Sequence, residues 1–225
     1  MQSIAIENNL SETAYAKRIA NCEYQLRWFT PGGEVDLCGH ATLATAYVLH
    51  KEYNLGGPYV FKTRSGKLIV SESGGQYHMD FPSDHAQSCS DSKIEGVLSE
   101  EILECFVGKE DYLAILKNEK AVESCNPDLK LLSSKGMRGL IISAPGHKYD
   151  FVSRCFYPAY GVDEDPVTGS AHTVLTPYWA MKLRRNVLKA RQVSKRGGDI
   201  RCVYRGSRVT LIGSAVKYMV ADIYI

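Results

Sequence analysis

Two segments of this 225-residue chain share one pattern when aligned on a glycine: CGHATLATAYVL at Cys38–Leu49 and TGSAHTVLTPYW at Thr168–Trp179. Each runs turn, glycine, polar residue, alanine, then an apolar helix. In the first, Ala41, Leu43, Ala44, Ala46, Tyr47, Val48 and Leu49 leave only threonines as polar positions. A helix apolar nearly all round belongs inside a protein. Two buried helices, each within its own sheet, are what a duplicated domain produces, and this repeat constrains the fold more than any other feature.

Strand-like runs rich in β-branched and aromatic residues surround the two helices: Tyr24–Thr30, Tyr59–Arg64, Lys67–Glu72, Gln76–Phe81, Tyr112–Leu116, Gly139–Ser143, Tyr149–Tyr157, Val209–Ile212 and Ala215–Ile225. Helical periodicity falls at Gly39–Tyr53, Ser99–Phe106 and Gly169–Leu183. The class is therefore α+β with much antiparallel sheet. PSDHAQSCSDSKIEG, beginning at Pro82, is polar and turn-rich. It divides the chain into an N-terminal half (1–82), a linker (83–96) and a C-terminal half (97–225). Pro177 sits inside the second helix, where an interior proline costs about 3 kcal/mol and predicts a bend after the first two turns.

With 44% apolar and 23% charged residues, the chain reads as an ordinary soluble protein. No apolar run approaches the ~20 residues that span a bilayer, and no secretory leader is recognisable, so no membrane association is expected. Seven cysteines, an odd number without a C-x-x-C pair, fit a reducing cytoplasm. Lys182–Arg196 carries seven basic residues in fifteen. No aromatic interrupts that run to stack a base, so it reads as a solvated face and no nucleic-acid partner is expected. The six histidines include no H-E-x-x-H or close His/Cys cluster, so no metal is expected.

A helix N-terminus offers unpaired N–H groups and the positive end of the macrodipole, and so holds anions without a cationic side chain. If Gly39-His40-Ala41 and Gly169-Ser170-Ala171 face each other, one can bind a substrate carboxylate while the other stabilises an enolate. The plain alternative is two ordinary helix starts with His40 or Ser170 near a cap. At a helix start the dipole disfavours the His40 imidazolium, which suits a neutral hydrogen-bond donor. His172 and Trp179 read as core.

IENNLSETAY at Ile6–Tyr15, RWFTPGGEVDLCGHATLATA at Arg27–Ala46, GVDEDPVTGSAH at Gly161–His172 and RGGDIRCVYRGSRVTLIGSAV at Arg196–Val216 resemble signatures of the PhzF-like phenazine-biosynthesis family. The resemblance implies a fold similar to diaminopimelate epimerase: two pseudo-symmetric halves, each a curved sheet wrapped round a central helix, with the active site between them. It implies a cofactor-independent isomerase that moves a proton, by allylic or keto-enol isomerisation, on a small carboxylate. By the same resemblance Glu7 is the general acid/base and His40 and Asp165 act with it, while Gly39, Ala41, Gly169, Ser170 and Ala171 bind substrate. Family members usually carry a further strand upstream of this motif, which in this chain starts near the first residue. A catalytically idle scaffold is the second reading, and a cysteine-dependent epimerase the third. Such epimerases use a cysteine at each helix start, whereas Thr168 stands opposite Cys38 here, with no neighbouring base evident in the sequence. A homodimer is the default assembly.

Overall fold

The computed structural model describes residues 1–224. After a short helix α1 (Gln2–Asn8), the chain runs through β1 (Thr13–Ala20), β2 (Glu23–Thr30), β3 (Gly33–Val35), helix α2 (Gly39–Lys51), β4 (Tyr59–Thr63), β5 (Gly66–Ser73) and β6 (Gln76–Pro82). A middle section holds β7 (Gln87–Ser88), β8 (Glu104–Val107), β9 (Asp111–Ile115), α3 (Glu119–Ser124) and α4 (Leu129–Ser133). The closing section holds β10 (Gly139–Pro145), β11 (Phe151–Tyr157), β12 (Val162–Asp165), α5 (Gly169–Leu183), β13 (Val187–Gln192), β14 (Gly198–Tyr204) and β15 (Arg208–Gly213).

The first and closing sections are copies of one topology. β2 pairs antiparallel with β1 and β3, and parallel with β4 across a crossover that carries α2. β11 pairs in the same way with β10, β12 and β13, and its crossover carries α5. Each copy ends in an antiparallel meander, and β6 joins β15, so the described strands form one continuous sheet. The class is α+β, with each half of the sheet wrapped round its own helix.

Period-two burial explains the second half. In β10, Ile141 faces the core that holds both central helices, while Leu140, Ile142 and Ala144 face a second core beneath α3 and α4. β9 alternates likewise, Leu113 and Ile115 against Tyr112 and Ala114. These strands are mostly apolar because both faces are covered, and their buried polar residues Asp111 and Ser143 have hydrogen-bond partners. β13 lies within the basic run: Leu188, Ala190 and Gln192 point inward, whereas Lys189 is exposed. Nearby Lys182, Arg185 and Arg191 pair with Glu104, Asp150 and Asp199.

α5 is unbroken across Pro177. Proline has no N–H for the Thr173 carbonyl one turn back. That carbonyl instead accepts a 3.0 Å bond from the Asp84 backbone N–H, so the segment between the halves supplies the missing donor.

Four expectations need correction. Ser99–Phe106 is not helical: its end becomes β8, where pairing with β7 and β9 overrides the local period. The tail from Ser214 to Tyr224 forms no strand, and Ile225 lies outside the described residues. Lys217 holds the tail to Glu52 at 2.7 Å, and Val216, Tyr218 and Tyr224 are exposed. Residues 83–96 are not a bare linker, since β7 pairs with β8 and a 3-10 turn at Asp91–Ile94 buries Ile94. Nor is α2 buried all round: Ala44 and Val48 are exposed beside a hollow of about 670 Å³ between α2 and β1.

His172 on α5 is wholly buried, its Nδ1 2.7 Å from the Thr168 carbonyl, and burial pushes its pKa down to about 4. An unfolded histidine titrates near 6.5. Since the folded value is depressed, its contribution is complete above pH ~6.5 and lost as pH falls toward ~4, about 3 kcal/mol in all. Chemical denaturation of His172→Gln between pH 7 and 4 is expected to show a shallower acid loss than wild type by that amount. Parallel curves would contradict the assignment.

Candidate active site

The two helix starts meet. An added Cβ on Gly39 would lie 2.7 Å from the Gly169 Cα, and one on Gly169 would lie 2.7 Å from the Gly39 Cα. Only hydrogen side chains allow that approach. The N-cap residues Cys38 and Thr168 are both extended and give no side-chain cap, which leaves first-turn N–H groups for a ligand. Gly39, His40, Gly169 and Ser170 line a cavity of about 120 Å³ beside this contact.

Two residues that the sequence did not single out complete its walls. Glu12 stands just before β1, and Arg138 just before β10, the equivalent strand of the second copy. Pseudo-symmetry thus sets a carboxylate against a guanidinium across the cavity. Glu12 Oε2 lies 2.9 Å from His40 Nε2, and no aligned hydrogen-bond donor among the described residues occupies that oxygen. The Arg138 guanidinium binds Asp111 through both carboxylate oxygens, donates to Ser170 Oγ at 3.2 Å, and rests on the Tyr157 ring at 5.1 Å. Asp111 is only 2% exposed, so this is a buried ion pair whose rupture is costly. Burial opposes the charge on Arg138, but Asp111, with Tyr157 and Glu110, outweighs it and raises its pKa.

Asp165 ends β12 and is 5% exposed. Its Oδ2 accepts from Thr168 Oγ1 at 2.6 Å, and Gln192, itself buried, donates to Thr168 Oγ1 and receives the Thr168 N–H. This clamp aims Oδ1 at His40 Nδ1, 4.0 Å away. Burial, then the nearby Glu12, raises the Asp165 pKa against the opposing pull of His40. For His40 burial disfavours the cation, but Cys38 and Glu12 more than offset it and hold its pKa well above the usual histidine value. His40 is therefore not the neutral donor that the helix dipole alone predicts. A carboxylate in contact outweighs the partial charge of a helix end.

The structure does not bring Glu7 to the cavity. It is exposed on α1, which ends at Asn9 in the left-handed conformation. That turn reverses the chain and delivers Glu12, five residues later in ENNLSETAY, to the site. Ala41 and Ala171 are buried in the first turns of α2 and α5 and do not line the cavity; their small size serves helix packing. Cys38 is buried, which pushes its thiol pKa up, and lies 3.9 Å from both His40 ring nitrogens. Thr168 does have a neighbouring base, Asp165, contrary to the sequence reading. Glu12, Cys38 and His40 also bring three potential metal-ligand atoms within 4.8 Å of one another, the fold adding Glu12 to a Cys38–His40 pair two residues apart in the sequence. No helix among the described residues is long and apolar enough to cross a membrane.

Duplicated halves round abutting helix tips define the class of the epimerase-like fold. A predicted epimerase of Pseudomonas aeruginosa, 17% identical, shares that fold with a TM-score of 0.71 over 95% of this chain and 84% of its own. Residues 1–221 match the profile of the phenazine biosynthesis-like protein family, and the chain belongs to that family. An uncharacterised isomerase of Pseudomonas aeruginosa is 44% identical over 100% of this chain and 87% of its own length. The crystal structure of a family member from Enterococcus faecalis is 42% identical, with a TM-score of 0.89 over 95% of this chain and 82% of that one.

Proposed function

We propose that the chain is an isomerase that moves a proton on a small carboxylate metabolite, with Glu12 rather than Glu7 as the acid/base. The observation that carries this reading is the Glu12 oxygen without an aligned donor, set between His40 and two uncapped helix starts in one small cavity. Relatives named isomerases support the reaction class.

The chemistry follows from the charges. A substrate carboxylate sits at the helix tips, held by their first-turn N–H groups, while Arg138, its charge taken up by Asp111 and Glu110, positions Ser170 at the wall. Glu12 takes a proton from the carbon next to the activated group. First-turn N–H groups and the His40 imidazolium stabilise the resulting enolate, and Glu12 returns the proton to another carbon. Asp165, clamped by Thr168 and Gln192, orients His40. A two-thiol route lacks support: the position matching Cys38 is Thr168, whose hydroxyl is committed to Asp165.

A panel of small keto and unsaturated carboxylates incubated with the protein in D2O tests this. The new C–H position of any acid converted is expected to hold either solvent deuterium or, when the substrate is deuterated at the abstracted carbon, that same deuterium, by mass spectrometry. A product with neither at that position would refute the proton transfer.

A further inference from the structure

The geometry points to a covalent modification site outside the cavity: Cys89 and Cys105 form a reversible disulfide when a small disulfide oxidant such as oxidised glutathione is present. Their sulfurs are 3.0 Å apart. The two residues are direct cross-strand partners, because the β7–β8 register places Ser88 opposite Phe106 and the Cys89 N–H donates to the Cys105 carbonyl at 2.9 Å. Hydrogen-bonded antiparallel partners hold their Cα atoms about 5.5 Å apart, inside the range a disulfide spans without moving backbone.

Access and order of reaction follow from burial. Cys89 is half-buried and Cys105 buried, and both line a surface hollow of about 320 Å³ with Ser88, Ser90 and Ile102. Burial, then the adjoining Cys89, raises the Cys105 thiol pKa, whereas Cys89 is the more open of the two. Cys89 thiolate therefore attacks a sulfur of oxidised glutathione and expels glutathione thiolate, leaving a mixed disulfide. Cys105 then loses its proton, attacks the Cys89 sulfur and expels the second glutathione. Two protein thiols are oxidised to one disulfide while one glutathione disulfide is reduced to two thiols.

The bond would fasten the segment between the halves to β8. Glu104 on that strand accepts from Tyr178 and Lys182 of α5, the helix that carries Gly169. Reversible cross-linking at this point acts on the junction of the two halves.

The experiment is thiol counting and non-reducing peptide mapping of the full chain before and after exposure to oxidised glutathione. Wild type is expected to lose two of its seven thiols, to yield one cross-linked peptide pair joining Cys89 and Cys105, and to regain both thiols on adding dithiothreitol. Cys105→Ser is expected to accumulate a glutathione adduct on Cys89, and Cys89→Ser to form no cross-link at Cys105. Retention of all seven wild-type thiols, or a cross-link joining other cysteines, would overturn the proposal.

Discussion

Glu12→Gln is expected to lower turnover by about 10²- to 10⁴-fold, the usual worth of a positioned proton-transfer group. The variant keeps the size of the side chain and a polar group beside His40, so binding changes far less than turnover. Glu7→Gln, on the exposed surface of α1, is expected to keep turnover within about a factor of two, in line with the small effects of surface substitutions. The pair separates the two acids of ENNLSETAY cleanly. An unaffected Glu12→Gln beside an inactive Glu7→Gln would return the role to Glu7. The Glu12 variant also removes the carboxylate that supports the His40 cation, so the His40 pKa is expected to fall, measurable by NMR titration.

Alanine at Gly39 or Gly169 carries the second large effect. In an open helix the change gains up to about 1 kcal/mol of propensity. Here the new methyl meets backbone at 2.7 Å, so the two tips must part by the better part of an ångström. Overpacking of this kind costs about 1 to 3 kcal/mol and outweighs the propensity gain. Displacing both anion-binding tips and the His40 that follows one of them is expected to cost about 10²-fold in turnover, because misplacement of about 1 Å is felt on that scale. Gly56, which has open space around it, is the control: Gly56→Ala is expected to leave turnover and stability near wild type. Equal behaviour of the three variants in thermal melts and kinetics would show that the tips do not need their close approach.

How much of this was legible in the sequence depends on distance along the chain. The repeat at Cys38 and Thr168 marked both central helices, because glycine followed by an apolar helical run is a local signal, but left their meeting as one of two alternatives that only the fold decides. β2, β4, β5, β6, β10 and β15 were readable from β-branched and aromatic runs. β1 was not, because TAYAKRIA is exposed along most of its length and lacks a buried alternating face. The reading of Glu7 failed within one motif: composition cannot tell which of two acids five residues apart faces inward. Asn9, a residue tolerant of the left-handed conformation, is the signal that α1 stops and leaves Glu7 on a helix surface. Arg138 left no local trace at all. Its partners Asp111 and Ser170 are 27 and 32 residues away, and only pairing of β9 with β10 and docking of α5 bring them together.

A crystal soaked with a small carboxylate tests the central claim most directly, since that claim is a location. The predicted result is a carboxylate group within hydrogen-bond distance of the first-turn N–H groups at Gly39 or Gly169, with the Glu12 carboxylate facing the ligand carbon. An anion bound elsewhere, with the tips empty and Glu12 turned to bulk water, would contradict the account.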